Sequence, residues 1–595
     1  MDHATLSTPR TTIRTNTHAT TRTTTGQQQP TLPLPGRRLL LQGMAATGVA
    51  VGLTSRMAVP DAAAAAAPAE TTRLLSAPDR HLVSRFSYGI TPALAESVRT
   101  AGGARAWFDR QLDHTRVPDG AGAELDGWWP SLDRSAADLW QRQVQEVEGG
   151  WQVMENYQRW CLARRMRSNR QVHEIMTEFW LHHLNVPANG DAAFTYRTAY
   201  DRVVREHALG RFEDLLFATI THPAMGIYLN NAVSTKSAPN ENLGRELLEL
   251  HTVGRGHYGE DDVKGSARIL TGWSVDLWKT WAAAYKPERH WTGPVTVMGF
   301  SDANADPDGR EVTRRYLSYL ARHPQTARRI ARKLAVKFVR DDVPDSLVEK
   351  LAQTYLSSGT DISAVLRALV ATPEFKGAAG AKVRDPGEDV VATYRALGVT
   401  LSKPPAGNAG RNHAANVALW QASSVGARPF HWPQPDGQPI DNASWSSPSR
   451  LMASFDLHYA MSGRWWPKDG ITYRQPTDWF PPAEYKTVQV PAKADSKKGR
   501  RGKNGKGKRG KNGRGRSSAT TRPQRVRKPL TFARLVDHLS RQMLHQPASD
   551  ALLKACCEAV DVKRDTVINA EHGVVKWNFQ RVLTTVLDSP THLSR

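Results

Sequence analysis

The chain has 595 residues, enough for one large or two medium hydrophobic cores. Its net charge of +23 is misleading for the folded part: residues 497–528 hold 15 Lys or Arg and no acid, residues 1–70 add six Arg against three acids, and the remaining body carries +5. That balance excludes a nucleic-acid-binding surface by composition, and three cysteines, two of them adjacent, exclude a disulfide framework and a cysteine zinc site.

Residues 1–70 are rich in Thr, Gln, Pro and Ala and cannot bury a core. Within them Arg37-Arg38 precedes Leu39, Leu40 and Leu41 and a modestly apolar run to Leu53, and the alanine tract 62–67 offers a small-residue cleavage zone. A paired arginine before such a run is the twin-arginine export pattern. The expectation is a leader over 1–70 and an extracellular or cell-wall-associated protein. Arg56 interrupts the run before it could span a bilayer, and no later stretch reads as a transmembrane helix, so the protein is not expected to be integral to a membrane.

An N-terminal helical lobe is expected over 73–376. Residues 79–113 read as helix–turn–helix, with Thr91 and Pro92 opening the second helix. Residues 133–186 show helical periodicity without strand alternation. Inside them, H-E-I-M-T-E-F-W-L-H-H-L-N (173–185) places Glu174, Glu178 and His182 on one face, with Ile175, Phe179 and Trp180 as core. Thr177 stands where a zincin H-E-x-x-H needs its second histidine, so that reading fails. Glu178 and His183 remain candidates for an acid–base or metal site; the alternative is interhelical hydrogen bonding.

The most distinctive stretch is 239–254, P-N-E-N-L-G-R-E-L-L-E-L-H-T-V-G. Asn240 suits a helix N-cap, Glu241 suits the first turn, and Gly254 supplies a stop. Glu241, Asn242, Arg245, Glu246 and Glu249 share an arc, Leu243, Leu247 and Leu250 face away, and Gly244 would let another helix approach closely. Glu241 and Glu249 each lie four residues from Arg245 and can bracket it. A solvated, salt-bridged face is one reading; a polar network lining a pocket, with Glu246 and Glu249 as acid–base groups and Asn240, Glu241, Asn242 and Arg245 in binding roles, is the other.

This stretch resembles the signature of domain-of-unknown-function family 1800, N-E-N-aromatic/Leu-x-R-E-L-x-E-L-x-T-x-G followed by an acidic and aromatic turn and L-T-G-W. Here those positions are Asn240–Asn242, Arg245, Glu246, Glu249, Thr252, Gly254, Tyr258, Glu260, Asp262 and 270–273. The opening H-L-V-S-R-F-S-Y-G-I-T-P (81–92) is similar to the family's start, and its F-W-x-x-H-F element matches at His183. The resemblance implies a bacterial, exported helical protein, with a neighbouring exported protein as a partner, and it implies no known reaction.

Further along, D-A-N-A-D-P-D-G (302–309) imitates a calcium loop with Asp302, Asn304, Asp306 and Asp308 in ligand alternation, but Pro307 and Thr313 replace the glycine and glutamate an EF-hand needs. The other reading is a polar turn capping the next helix. Arg328, Arg329, Arg332 and Lys333 form a basic face opposite Ile330 and Leu334. Residues 377–387 are Gly-, Ala- and Pro-rich and are expected to divide the body, with a C-terminal helical lobe over 388–595.

Residues 426–448 form a Pro- and Trp-rich loop comparable to one in the family; His431, Trp432 and Trp445 could stack on sugar rings, or the loop packs over the core. Residues 494–528 read as a disordered basic insert that binds polyanions without sequence readout, or serves as a solubilising loop. No nucleophile elbow, phosphate loop or dinucleotide fingerprint is present.

The fold class expected is mainly α, a large multi-helical body in two lobes with long loops and the basic insert. Two functions are open. One is acid–base or metal-assisted hydrolysis of an envelope polymer, using a divalent metal if the acids bind one. The other is a non-catalytic helical scaffold that binds wall polymer or a neighbouring exported protein.

Overall fold

A computed structural model describes residues 73–405, 410–491 and 521–595. The leader and most of the basic insert lie outside the described residues. Among them the architecture is helical, with twenty-four α-helices and four two-stranded antiparallel pairs. No described helix is long and apolar enough to cross a membrane. Residues on both sides of 377–387 contribute to one continuous hydrophobic core, and the described chain is one compact unit. Val383 bridges to Ser594, and the Lys382 and Arg595 backbones exchange hydrogen bonds.

Helix Gln171–His183 is the axis of the molecule: every one of its residues is buried. A helix buried all round is normally apolar, yet this one carries two acids and three histidines. Their cost is offset by partners, as a buried polar group requires. Glu174 accepts from Arg164 at 2.9 Å and Arg205 at 2.8 Å. Burial raises its pKa, but Arg205 and Arg164 outweigh that and bring it to about 2. Glu178 accepts from Tyr88 at 2.5 Å and pairs with Arg165 at 2.9 Å. His173 stacks on His114 and bonds the Arg205 carbonyl.

The signature helix starts as its sequence dictates. Asn240 accepts from the Asn242 backbone N–H and caps Glu241–Glu246. Gly244 faces helix Glu260–Ile269, and a Cβ there would sit 3.0 Å from the Ala267 nitrogen and 3.2 Å from the Val263 carbonyl. The close approach expected of this glycine is therefore real.

After Glu246 the helix widens into a π-turn, Leu247–His251. Thr252 Oγ1 closes it onto the Leu247 carbonyl at 2.6 Å, and the Gly254 N–H bonds the Leu248 carbonyl. Gly254 has φ +96° and lies against Arg329, so it fits both the turn and the contact. Single π-turns are rare and cluster at functional sites.

The strand Thr521–Arg527 corrects one boundary. Composition assigns it to the disordered insert, but it pairs antiparallel with Tyr485–Pro491. The ladder pairs one edge of its backbone, and its side chains are exposed.

Candidate functional site

Four elements converge on the π-turn: the end of helix Gln171–His183, the turn itself, helix Pro324–Phe338, and the loop after Pro429. His183 Nε2 lies 3.1 Å from the His251 carbonyl, and His251 Nδ1 lies 2.9 Å from the His183 carbonyl. A carbonyl only accepts, so His183 carries its proton on Nε2 and its Nδ1 lone pair is free to accept. Lys333 Nζ donates to that Nδ1 at 3.0 Å. Burial, then Lys333 and His251, hold His183 well below the usual imidazole range. Lys333 itself is lowered to about 7 by burial and by Arg329, with Asp436 opposing. It makes no ion pair with a carboxylate among the described residues.

The two signature acids are driven apart. Glu246 is half-buried and makes no hydrogen bond or ion pair among the described residues. Its pKa is raised by burial, then by Glu249 and, further down, Asp436. Glu249 accepts from Tyr258 OH at 2.6 Å and Arg255 at 2.5 Å. These contacts, Tyr258 first, hold it below the ordinary carboxylate range. Such a split between neighbouring carboxyls is how acid and base roles are assigned.

The loop closes the site. Phe430 is buried against Arg165 and His182. Asn185 holds the Trp432 and Gln434 carbonyls at 3.0 and 2.7 Å, and Tyr228 OH holds the Pro433 carbonyl at 2.7 Å. Gly437, at φ +76°, passes so close to the His182 carbonyl that a Cβ would collide at 1.9 Å. Trp432 Nε1 donates to Asp436 at 3.1 Å, and Asp436 acts electrostatically on Glu246, Tyr228 and Lys333.

Of the residues singled out in the sequence, Glu246, Glu249, His183 and Trp432 gather at or beside this turn. Others do not. Arg245 is not buried between two acids. It is about a third exposed, holds Glu260 with two bonds of 2.8 and 2.7 Å, and meets Glu241 at 3.5 Å. The π-turn begins between Arg245 and Glu249 and breaks the four-residue row that would have paired them. Asn240 is spent as a cap, Asn242 is half-buried on the first turn, and Glu241 is a rim partner of Arg245.

Glu178 belongs to a separate buried network. Arg165 and Tyr88 hold it, while Lys337 and Arg595 hold Glu388 at 2.8 and 2.5 Å. His431 is exposed, and Trp445 donates to the Pro439 carbonyl within its own loop. The calcium-like residues do not converge. Asp302 pairs with Arg315, Asn304 bonds His290, Asp306 accepts from the Asp308 backbone, and Asp308 pairs with Arg310. They form the polar turn ahead of helix Arg310–Ala321.

Sequence reasoning missed Lys333 and Asp436 as members of the site. Lys333 stood in a basic face, and no local signal in the sequence set it apart from Arg328, Arg329 and Arg332. Arg328 and Arg332 of that face pair with Glu349 and Asp345, whereas Arg329 turns in to the Leu250 carbonyl. Also missed was Asp389–His458–His592, the group of metal-ligand types found close together among the described residues, with donor atoms within 4.8 Å of one another. There His458 bridges Asp389 at 3.2 Å and Asp588 at 2.7 Å, and Arg450 takes the other Asp389 oxygen at 3.3 Å. Burial opposes charge on His458, but Asp389 and Asp588 raise it to about 9, so an imidazolium already supplies the positive charge that the acids require.

A search of curated proteins finds no match, and a search of solved structures finds none. The sequence model of the family described as "Protein of unknown function (DUF1800)" matches residues 81–593. That span takes in the central helix, the π-turn and the closing loop, and the chain belongs to this family.

Proposed function

We propose that the π-turn is an acid–base site for hydrolysis of an envelope polymer, with Glu246 as proton donor and Glu249 as its ionised partner. One observation supports this above the rest: a half-buried carboxyl with no partner stands three residues from one fixed in the charged state. A general acid is favoured by a raised pKa, and burial and the neighbouring Glu249 charge move Glu246 in that direction. Lys333, lowered to about 7, is a further titratable group beside the turn, bonded to His183. The twin-arginine pattern motivates an extracytoplasmic substrate.

The test incubates the purified chain with peptidoglycan and with wall teichoic acid, and reads soluble product by mass spectrometry. Glu246→Gln should lower product release at least ~100-fold, the low end of general acid catalysis, with the melting temperature kept. Full activity in that variant rejects the assignment. Sedimentation with wall material by parent and variant alike, with no product from either, favours the non-catalytic binding reading.

A further inference from the structure

A cavity of about 320 Å³ lies between helix Ala77–Arg85, the segment 379–384, Met543–Leu544 and residues 590–595. Its wall includes Arg80, His81, Arg384, His592 and Arg595, and no aspartate or glutamate side chain. The size is at the lower end for a small-molecule site.

The arginines differ in how they are satisfied. Arg595 is neutralised by Glu388 at 2.5 Å. Arg384 is 5% exposed, donates Nε to the His592 carbonyl at 2.8 Å, and leaves Nη1 without a partner. It makes no ion pair among the described residues, and neither does Arg80. Glu388, Asp389 and Asp385 act on Arg384 from behind the wall. Each is already committed: Glu388 to Lys337 and Arg595, Asp389 to His458 and Arg450, and Asp385 to capping helix Pro386–Leu397. A buried guanidinium without a counter-ion is costly, and an entering anion would relieve that cost. Ile90, Ala396, Met543, Leu544 and Pro590 line the rest, so an apolar body would be accommodated beside the charge.

We propose that this cavity binds a small organic oxyanion, a carboxylate or phosphate monoester on a short apolar chain, with Arg384 and Arg80 as its counter-ions. Isothermal titration calorimetry of the full chain with octyl phosphate, octanoate, octanol and inorganic phosphate tests it. Octyl phosphate or octanoate should bind at least tenfold more tightly than octanol, and more tightly than inorganic phosphate. Arg384→Gln should weaken that binding at least tenfold. Arg80 is half-buried and unpaired, so Arg80→Gln should fold normally and weaken it several-fold even where Arg384→Gln does not fold. Binding of neither amphiphilic anion, or equal binding by parent and Arg80→Gln, overturns the proposal.

Discussion

Lys333 Nζ sits 3.0 Å from His183 Nδ1, across the contact between helix Pro324–Phe338 and the end of helix Gln171–His183. The histidine is neutral and fixed in one tautomer by the His251 carbonyl. It can therefore accept a hydrogen bond from the lysine but offers no charge to stabilise an ammonium. The lysine pKa of about 7 follows from burial and the nearby Arg329, and it makes Lys333 the cation at the turn that titrates near neutral pH.

That depression has a stability consequence of definite sign. The unfolded lysine titrates near 10.5 and the folded one near 7. Between these values the unfolded chain binds more protons, so this group makes stability rise with pH. Below about pH 7 the folded state carries a penalty for its buried ammonium. Lys333→Met keeps the apolar stem and removes the charge. Its urea midpoint should exceed the parent's at pH 6, and the gain should shrink towards pH 10. An equal difference at both pH values would show that Lys333 titrates normally.

The helix contact at Gly244 gives a purely steric prediction. A methyl group at this position meets backbone of helix Glu260–Ile269 at 3.0–3.3 Å, and backbone cannot swing aside as a long side chain can. Gly244→Ala should therefore destabilise, by about 1–3 kcal/mol for overpacking, despite alanine's better helix propensity. A stabilised Gly244→Ala in urea denaturation would place the two helices further apart.

Legibility from sequence followed the range of the interactions. The 3.6-residue periodicity of segments such as 324–338 gave the mainly helical fold, because an amphipathic stripe records burial locally. The Asn240 cap and the Gly254 stop were readable for the same reason. The Arg245–Glu249 pair was misread because a π-turn leaves no period in the sequence. Lys333, Asp436 and the Asp389–His458–His592 group were invisible because their partners come from elements up to 203 residues apart, as Asp389 and His592 are. The closing loop was recognised by composition, but its anchors, Phe430 and Gly437, are an apolar plug and a steric gap rather than a chemical motif.

Two ion-paired arginines, Arg245 and Arg165, separate on burial. Arg245 faces solvent at the rim, so Arg245→Ala should have a small effect that fades at 1 M salt, where the Debye length falls to about 3 Å. Arg165 is 4% exposed and holds Glu178, itself 7% exposed. Arg165→Ala leaves that carboxylate buried with Tyr88 and, at 4.0 Å, His182, with no guanidinium to balance it, and should cost about 3–5 kcal/mol. Urea denaturation of the two variants at low and high salt checks the ranking. An Arg245→Ala loss as large as that of Arg165→Ala would return Arg245 to the interior.

The buried histidine of the second cluster should set a pH limit on the fold. His458 is raised from 6.5 to about 9 by the acids it bridges, against the effect of burial. Its contribution is therefore fully present below pH 6.5 and is lost as pH rises through 9. Asp389 is held below its usual range by His458, again against burial, so its contribution is present above about pH 4 and disappears in acid. The pair is strongest between these limits, near pH 5–6. His458→Gln keeps a hydrogen-bonding group but cannot carry charge, and it leaves Asp389 with Arg450 and the distant His592. The loss in urea denaturation at pH 6 should be in the range for breaking a buried pair, about 3–5 kcal/mol. It should be clearly smaller at pH 10, where the parent ring has also lost its charge. Because the imidazolium supplies the cation, prolonged dialysis against a chelator should leave the melting temperature of the parent unchanged. A chelator-induced drop that His458→Gln abolishes would instead assign a metal ion to Asp389, His458 and His592.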